Sequence, residues 1–330
     1  MKTAQIVGAS VGGGIGLLAL IGGAIAVYLR APPVEPAPPV EPGIDPVLLQ
    51  KQFAEQERLF STFKVPSYNI RDRIQYPVYY INLDRDVKRN DALVSQFARY
   101  GVKYTRVPAV YGKTLPSLVK GTYKGIDFQN PGLSPGRVFK GALSPGEVGC
   151  TLSHFMSIYE GYKAGHEYIV VMEDDIKLDL MPFWKADLPR ILSEVKEDWN
   201  IIQLTTSNYP NTYFQTAYRS LPWKSNFWGT QAYVINRTGM ENVLAKAFKG
   251  KRYNLKVSDI LIYELAGKTR TLSVPLFYSA DVASTIGNPD IISLAQGIKT
   301  LSYYNTILDA TGRQYSRRRN TFWTTTIGEK

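Results

Sequence analysis

Read as a run of hydrophobic and polar positions, the 330-residue chain falls into four stretches. Ala4 to Leu29 contains no charged side chain and is bounded by Lys2 and Arg30. A helix rising 1.5 Å per residue over that run outreaches a hydrocarbon core about 30 Å thick, which predicts a membrane anchor over residues 1–30. Ala24-Ile25-Ala26 resembles a signal-peptide cleavage site, but the apolar run outlasts the roughly 7–15 residues of a signal core. Residues 31–57 carry a Pro-Pro-Val-Glu-Pro repeat, Pro32–Pro36 and Pro38–Pro42, which lacks backbone donors and predicts an extended stalk. Residues 58–311 alternate strand-like with helix-like runs, and residues 312–330 form a basic tail.

Within the third stretch the alternation predicts an α/β domain with a largely parallel sheet. Pro77–Asn82 is a β-branched and aromatic strand; Asp86–Tyr100 follows with Val87, Leu93, Val94 and Phe97 near helical spacing, and Gly101 stops it. Lys103–Val110 is the next strand, and residues 111–141 form a Gly- and Pro-rich loop of the length that binding loops and lids have. Ser144, Pro145 and Glu147 spell a capping box that starts a helix running to about Ala164. Glu167–Met172 is an apolar strand that ends in Glu173-Asp174-Asp175. Further strands are predicted over 200–204, 229–235 and 271–277, and helices over 238–248, with Thr238 and Glu241 as a capping box, and 258–266, with Ser258 as N-cap.

Charge adds a constraint. The formal net charge is +11, yet the stalk is acidic, so the chain from Arg58 onward carries +13. An excess of that size suits a phosphorylated ligand, a nucleic acid or an anionic membrane surface. No nucleic-acid motif accompanies it, so nucleic acid is not the expected partner. A single cysteine excludes an intramolecular disulfide and a Cys-based zinc cluster, and two histidines leave a zinc enzyme short of its usual ligands. Gly8, Gly12 and Gly16 would lie along one face of the anchor helix, where a second copy could pack to form a homodimer.

Glu173, Asp174 and Asp175 carry the sharpest chemical signal. Adjacent carboxylates at the carboxyl end of a buried strand repel one another unless a cation or a basic partner neutralises them, and hard Mn²⁺ or Mg²⁺ would do so while sharing phosphate oxygens. Asn82 and Asp84, with Arg85 and Arg89, offer an amide, a carboxylate and guanidinium groups suited to a uracil edge, a ribose hydroxyl and phosphate. Cys150 reads as a small core residue and His154 as a buried, hydrogen-bonded one. Asp259 is either a helix N-terminal charge or a general base.

In this order the segments INLDRDVKR (81–89), RVPAVYG (106–112), LSPGEVGCTLSH (143–154), VVMEDD (170–175), GTQAYVINRTG (229–239) and SDI (258–260) resemble glycosyltransferase family 25. This group contains lipopolysaccharide-type sugar transferases and procollagen galactosyltransferases. The resemblance implies a GT-A-like α/β domain with a Rossmann-like mixed sheet. It also implies a UDP-sugar donor, Mn²⁺ or Mg²⁺, and inverting transfer of galactose or glucose to a glycan or a hydroxylated protein. By motif position, Asn82, Asp84, Arg85 and Arg89 become nucleotide-side residues, Ser153 and His154 support the same pocket, and Thr230 and Gln231 line the donor or acceptor site. Glu173, Asp174 and Asp175 become the metal set, and Asp259 becomes the base. A membrane-anchored enzyme of this kind would carry its domain on the lumenal or extracytoplasmic side. Three departures stand out: Tyr111 replaces a common acid, SDI (258–260) replaces a more acidic pair, and no histidine follows His166.

Overall fold

The computed structural model describes residues 46–65, 72–114, 122–123, 126–127, 143–206, 219–249, 252–253, 256–279 and 291–308. The expected membrane span, the proline repeat, much of the 111–141 loop and the basic tail lie outside them. Among the described residues, no helix is long and apolar enough to cross a membrane.

The elements in chain order are α1 (Pro46–Ser61), β1 (Val78–Asn82), α2 (Val87–Tyr100), β2 (Tyr104–Pro108), β3 (Thr122–Tyr123), β4 (Ile126–Asp127), α3 (Pro145–Lys163), β5 (Tyr168–Glu173) and β6 (Ile176–Lys177). Then follow α4 (Leu188–Ser193), β7 (Ile201–Gln203), β8 (Ser220–Pro222), β9 (Ala232–Asn236), α5 (Arg237–Ala247), β10 (Phe248–Lys249), β11 (Arg252–Tyr253), α6 (Ser258–Ala266), β12 (Thr269–Leu272), β13 (Tyr278–Ser279) and α7 (Ile291–Ile307). Seven strands form one sheet in the order β2-β1-β5-β9-β7-β12-β8. β1 runs parallel to β2 and β5, and β12 to β7, whereas β9 is antiparallel to both its neighbours and β8 to β12. The sheet is therefore mixed rather than largely parallel.

Strands β1, β5 and β9 are apolar on both faces because both faces are covered. Val78, Tyr80, Val170, Met172 and Val234 join Leu93 and Phe97 of α2 and Leu301 and Tyr304 of α7 in one core. Their alternates Tyr79, Ile81, Ile169, Val171, Tyr233 and Ile235 join Leu152 and Phe155 of α3, Val243 of α5 and Leu261 of α6 in the other. The period-2 alternation of side chains thus sorts each strand into two cores, and the result is a three-layer α/β/α domain.

Helix α1 corrects the expected stalk boundary, because residues 46–57 are helical and part of the folded body. Phe53 and Phe60 are buried, the Phe60 ring lies 5.0 Å from Phe183, and the Phe53 ring lies 6.2 Å from Tyr278. The signal was present in the apolar spacing of Leu49, Phe53 and Phe60, but the acidic and proline-rich context masked it. Two predicted caps also shift by a residue or two. Asn236, not Thr238, caps α5, with its Oδ1 accepting the Gly239 N–H at 2.8 Å. Val257 precedes α6, so Ser258 is its first residue rather than its cap.

The capping box at α3 forms as predicted. Glu147 N–H donates to Ser144 Oγ at 3.2 Å, and Ser144 N–H donates to Glu147 Oε2 at 2.6 Å. That fixes the start of α3 against the segment after β2, where backbone meets backbone. A Cβ on Gly112 would sit 1.6 Å from the Pro145 carbonyl oxygen, and one on Gly149 would sit 2.4 Å from that of Val110. Neither neighbour can swing aside as a side-chain tip could. Gly112→Ala is expected to destabilise the fold by about 1–3 kcal/mol or more, seen as a lower urea midpoint at unchanged m-value.

Candidate active site

The site is assembled at the carboxyl ends of β1 and β5, which lie side by side with Ile81 opposite Glu173. The segment entering β9 closes the other side, where Glu173 N–H donates to the Gln231 carbonyl at 2.9 Å. Three neighbouring strands so bring Asn82, the acids 173–175 and Thr230 to one edge of the sheet. Helix α6 adds Asp259 from its first turn.

Successive residues at the end of β5 point to different partners, and this decides what each acid can do. Glu173 continues the Ile169–Val171 face and meets α3: His154 Nε2 lies 3.3 Å from its Oε1. The Thr230 hydroxyl lies 2.9 Å from that oxygen, 3.1 Å from Asp259 Oδ1 and 3.0 Å from Ser258 Oγ. One hydroxyl proton serves one carboxylate at a time, so Thr230 couples Glu173 to Asp259. Asp174 turns the other way, where Asn82 Nδ2 donates to its Oδ2 at 2.7 Å and Arg89 Nη1 to its Oδ1 at 3.0 Å. Asp175 accepts from Ser279 Oγ at 3.0 Å through Oδ2, while its buried Oδ1 has no hydrogen-bond partner.

These environments separate the acids electrostatically. Burial pushes the Asp175 carboxyl up to about 7, helped by the charges of Glu173 and Asp174 and opposed by Arg89 and Ser279. Burial also lifts Asp259 to about 6, helped by Glu173 and opposed by Thr230, His154 and the Gly229 backbone. For Glu173 burial acts upward as well, yet the His154 hydrogen bond and charge, the Thr230 hydroxyl and Arg89 together hold it below the usual carboxylate range. Asp174 is raised, chiefly by burial, against the pull of Arg89 and Asn82.

The expected metal set is therefore not gathered. Among the described residues, the only three such side chains whose ligand atoms lie within 4.8 Å of one another are Cys150, His154 and Glu173. Glu173 and Asp174 are each already engaged with a base. Asp175, with one buried and unpartnered oxygen, is the acid of the three that would suit a hard cation.

Other expected site residues also find different work. Asn82 does not present its amide to a uracil edge: it is buried, and its Oδ1 accepts from Arg106 Nε at 3.0 Å and Nη2 at 2.9 Å while its amide orients Asp174. Asp84 is exposed and receives Arg106 Nη2 at 2.7 Å. Ser153 is tied to backbone, donating to the Gly149 carbonyl at 2.7 Å and accepting the Val110 N–H at 2.8 Å, so it braces α3 rather than a ligand. His154 is fully buried, with Nδ1 3.1 Å from the Tyr233 hydroxyl. Gln231 contributes its backbone carbonyl.

A cavity opens beside the acids, lined among others by Arg85, Arg89, Tyr111, Cys150, Glu173 and Asp174. The Arg85 guanidinium sits 4.3 Å from the centre of the Tyr111 ring, a cation–π contact that holds a half-exposed cation at the cavity wall. Tyr111 thus gives the wall an aromatic platform. Arg106, Tyr233 and Ser279 join the site beyond the expected residues: Arg106 and Tyr233 lie in the segments 106–112 and 229–239, whereas nothing local marks Ser279.

A model of the family described as Glycosyltransferase family 25 (LPS biosynthesis protein) matches residues 75–261. The chain is 30% identical over 128 residues to a Glycosyltransferase 25 family member of Anopheles gambiae, covering 38% of this chain and 21% of that one. It is 30% identical over 179 residues to the Probable inactive glycosyltransferase 25 family member 3 of Rattus norvegicus, 51% of this chain and 29% of that one. It is 29% identical over 152 residues to the Procollagen galactosyltransferase 1-A of Xenopus laevis, 44% and 23% respectively. The chain thus spans less than a third of the length of these relatives.

Proposed function

Because the chain belongs to glycosyltransferase family 25, we propose that it transfers a hexose, galactose or glucose, from a UDP-sugar to a hydroxyl of a glycan or protein, with inversion and with Mn²⁺ or Mg²⁺. One observation carries this reading: Thr230 ties Asp259 to Glu173, Asp175 follows Glu173 and Asp174 at the end of β5, and those two acids line a cavity walled by Arg85 and Tyr111.

In this mechanism Asp259 is the general base. With a carboxyl raised to about 6 it is ionised at neutral pH and more basic than an exposed aspartate, so it takes the acceptor hydroxyl proton as that oxygen attacks the anomeric carbon. Thr230 steadies the carboxylate for that exchange. Asp175 would hold Mn²⁺ or Mg²⁺, which supplies neutralisation of the departing diphosphate. Arg85 adds positive charge at the cavity, and Asn82, Arg89 and Arg106 keep Asp174 in place. The +13 from Arg58 onward suits an anionic donor, and the uncharged run 4–29 supports attachment to a membrane.

UDP release from a panel of UDP-sugars with Mn²⁺ tests the reading. One donor is expected to exceed the others by at least ~10-fold, a discrimination of about 1.4 kcal/mol. Equally low rates for every donor would sink the claim of a specific transferase. A catalytically silent sugar-nucleotide binder is the second reading, favoured by the name of the rat relative, which is called probably inactive. Nucleotide binding without metal-dependent turnover would select it.

A further inference from the structure

Cys150 and His154 stand one helical turn apart on α3, and Glu173 comes to them from the end of β5. The thiolate, imidazole and carboxylate that these side chains can offer are the donor types that zinc and its neighbours take, and hard Mg²⁺ does not favour the first two. We propose that Cys150, His154 and Glu173 form a binding site for a single borderline divalent ion of the Zn²⁺ or Co²⁺ class, separate in chemistry from the hard-cation position at Asp175.

The geometry supports it at three points. Ligand nitrogen and oxygen atoms about 2.05 Å from a tetrahedral zinc stand about 3.3 Å apart, and His154 Nε2 lies 3.3 Å from Glu173 Oε1. A thiolate at about 2.3 Å from the same ion stands about 3.6 Å from those atoms. The Cys150 sulfur is within 4.8 Å of both, so it has at most about 1.2 Å to close. Finally, the far nitrogen of the ring is already engaged, with Nδ1 3.1 Å from the Tyr233 hydroxyl, the outer-shell contact that aims a ligating imidazole. An ion can enter through the cavity, whose wall includes Cys150 and Glu173.

Binding balances simply. As the metal–sulfur bond forms, the thiol proton and the proton that His154 Nε2 shares with Glu173 both leave for solvent; the remaining imidazole proton resides on Nδ1, donated to the Tyr233 oxygen, and Nε2 gives its lone pair to the ion. Composition had left a zinc site short of ligands, but the fold gathers one thiol, one imidazole and one carboxylate where no run of sequence repeats them.

The full chain, freed of metal and without nucleotide, is titrated with Co²⁺. The expected result is one equivalent bound with thiolate-to-cobalt charge-transfer absorption, displaced by Zn²⁺ and not by a large excess of Mg²⁺. The chain has one cysteine, so such a band belongs to Cys150 and disappears in Cys150→Ser. Glu173→Gln and His154→Gln are expected to weaken Co²⁺ at least ~10-fold, or 1.4 kcal/mol. Because His154 is buried and its variant can fail to fold, Glu173→Gln decides alone in that event. No thiolate band, or unchanged affinity in Glu173→Gln, overturns the site. The readout is independent of transfer, so its failure leaves the donor-panel result standing, and the reverse holds too.

Discussion

Asp175→Asn is expected to lower metal-dependent UDP release by at least ~100-fold, since several kcal/mol of charge stabilisation goes with a metal-holding carboxylate, and yet to stabilise the fold at pH 8. The sign follows from the raised carboxyl. A group whose folded value of about 7 exceeds its ordinary 3.8 contributes stability that is complete below about pH 4 and is lost as pH rises through 7. At pH 8 the buried, ionised carboxylate is then a standing cost of about 4 kcal/mol in the absence of metal. An uncharged amide of the same shape removes part of it and can still accept from Ser279. Urea unfolding at pH 5 and pH 8 should show a higher midpoint for the variant at pH 8, and a flatter pH dependence. Added Mn²⁺ should raise the wild-type melting temperature and leave that of the variant unmoved. A variant less stable than wild type at pH 8 would count against the unpaired, charge-bearing role of Asp175.

Loss of the base should be equally visible. Asp259→Asn is expected to lose roughly 10²–10⁴-fold in kcat, the range for a positioned general base, and not to destabilise the fold above pH 6, because its amide oxygen can still receive Thr230 and the cost of the ionised carboxylate is gone. In the wild type, kcat/KM should rise through about pH 6 as the Asp259 carboxylate forms, then level off. The variant should lack that limb. Retention of the limb in Asp259→Asn would move the base to another group.

The strand ends carrying INLDRD and VVMEDD were readable because a buried strand that stops in polar residues marks a sheet edge, and the α3 capping box was readable because its chemistry is local. Helix α1 was not, since residues 46–57 sit beside a proline repeat and bury only a narrow stripe through Leu49, Phe53 and Phe60. Nothing in the chain's local pattern separates Asn82 as a ligand contact from Asn82 as a brace for Asp174. That depends on Arg106 and Asp174, which lie 24 and 92 residues away.

By itself the sequence determined the family, the layered α/β class and the segments from which the site is built, because those rest on periodicity, turn chemistry and contiguous motifs. Tertiary structure alone decided the division of labour among the acids. Adjacent residues at the end of β5 turn to opposite sides, so Glu173 goes to His154 and Thr230, Asp174 to Asn82 and Arg89, and Asp175 to Ser279 with one oxygen left over. Ionisation, metal preference and basicity follow from those distant neighbours, and a linear pattern does not contain them.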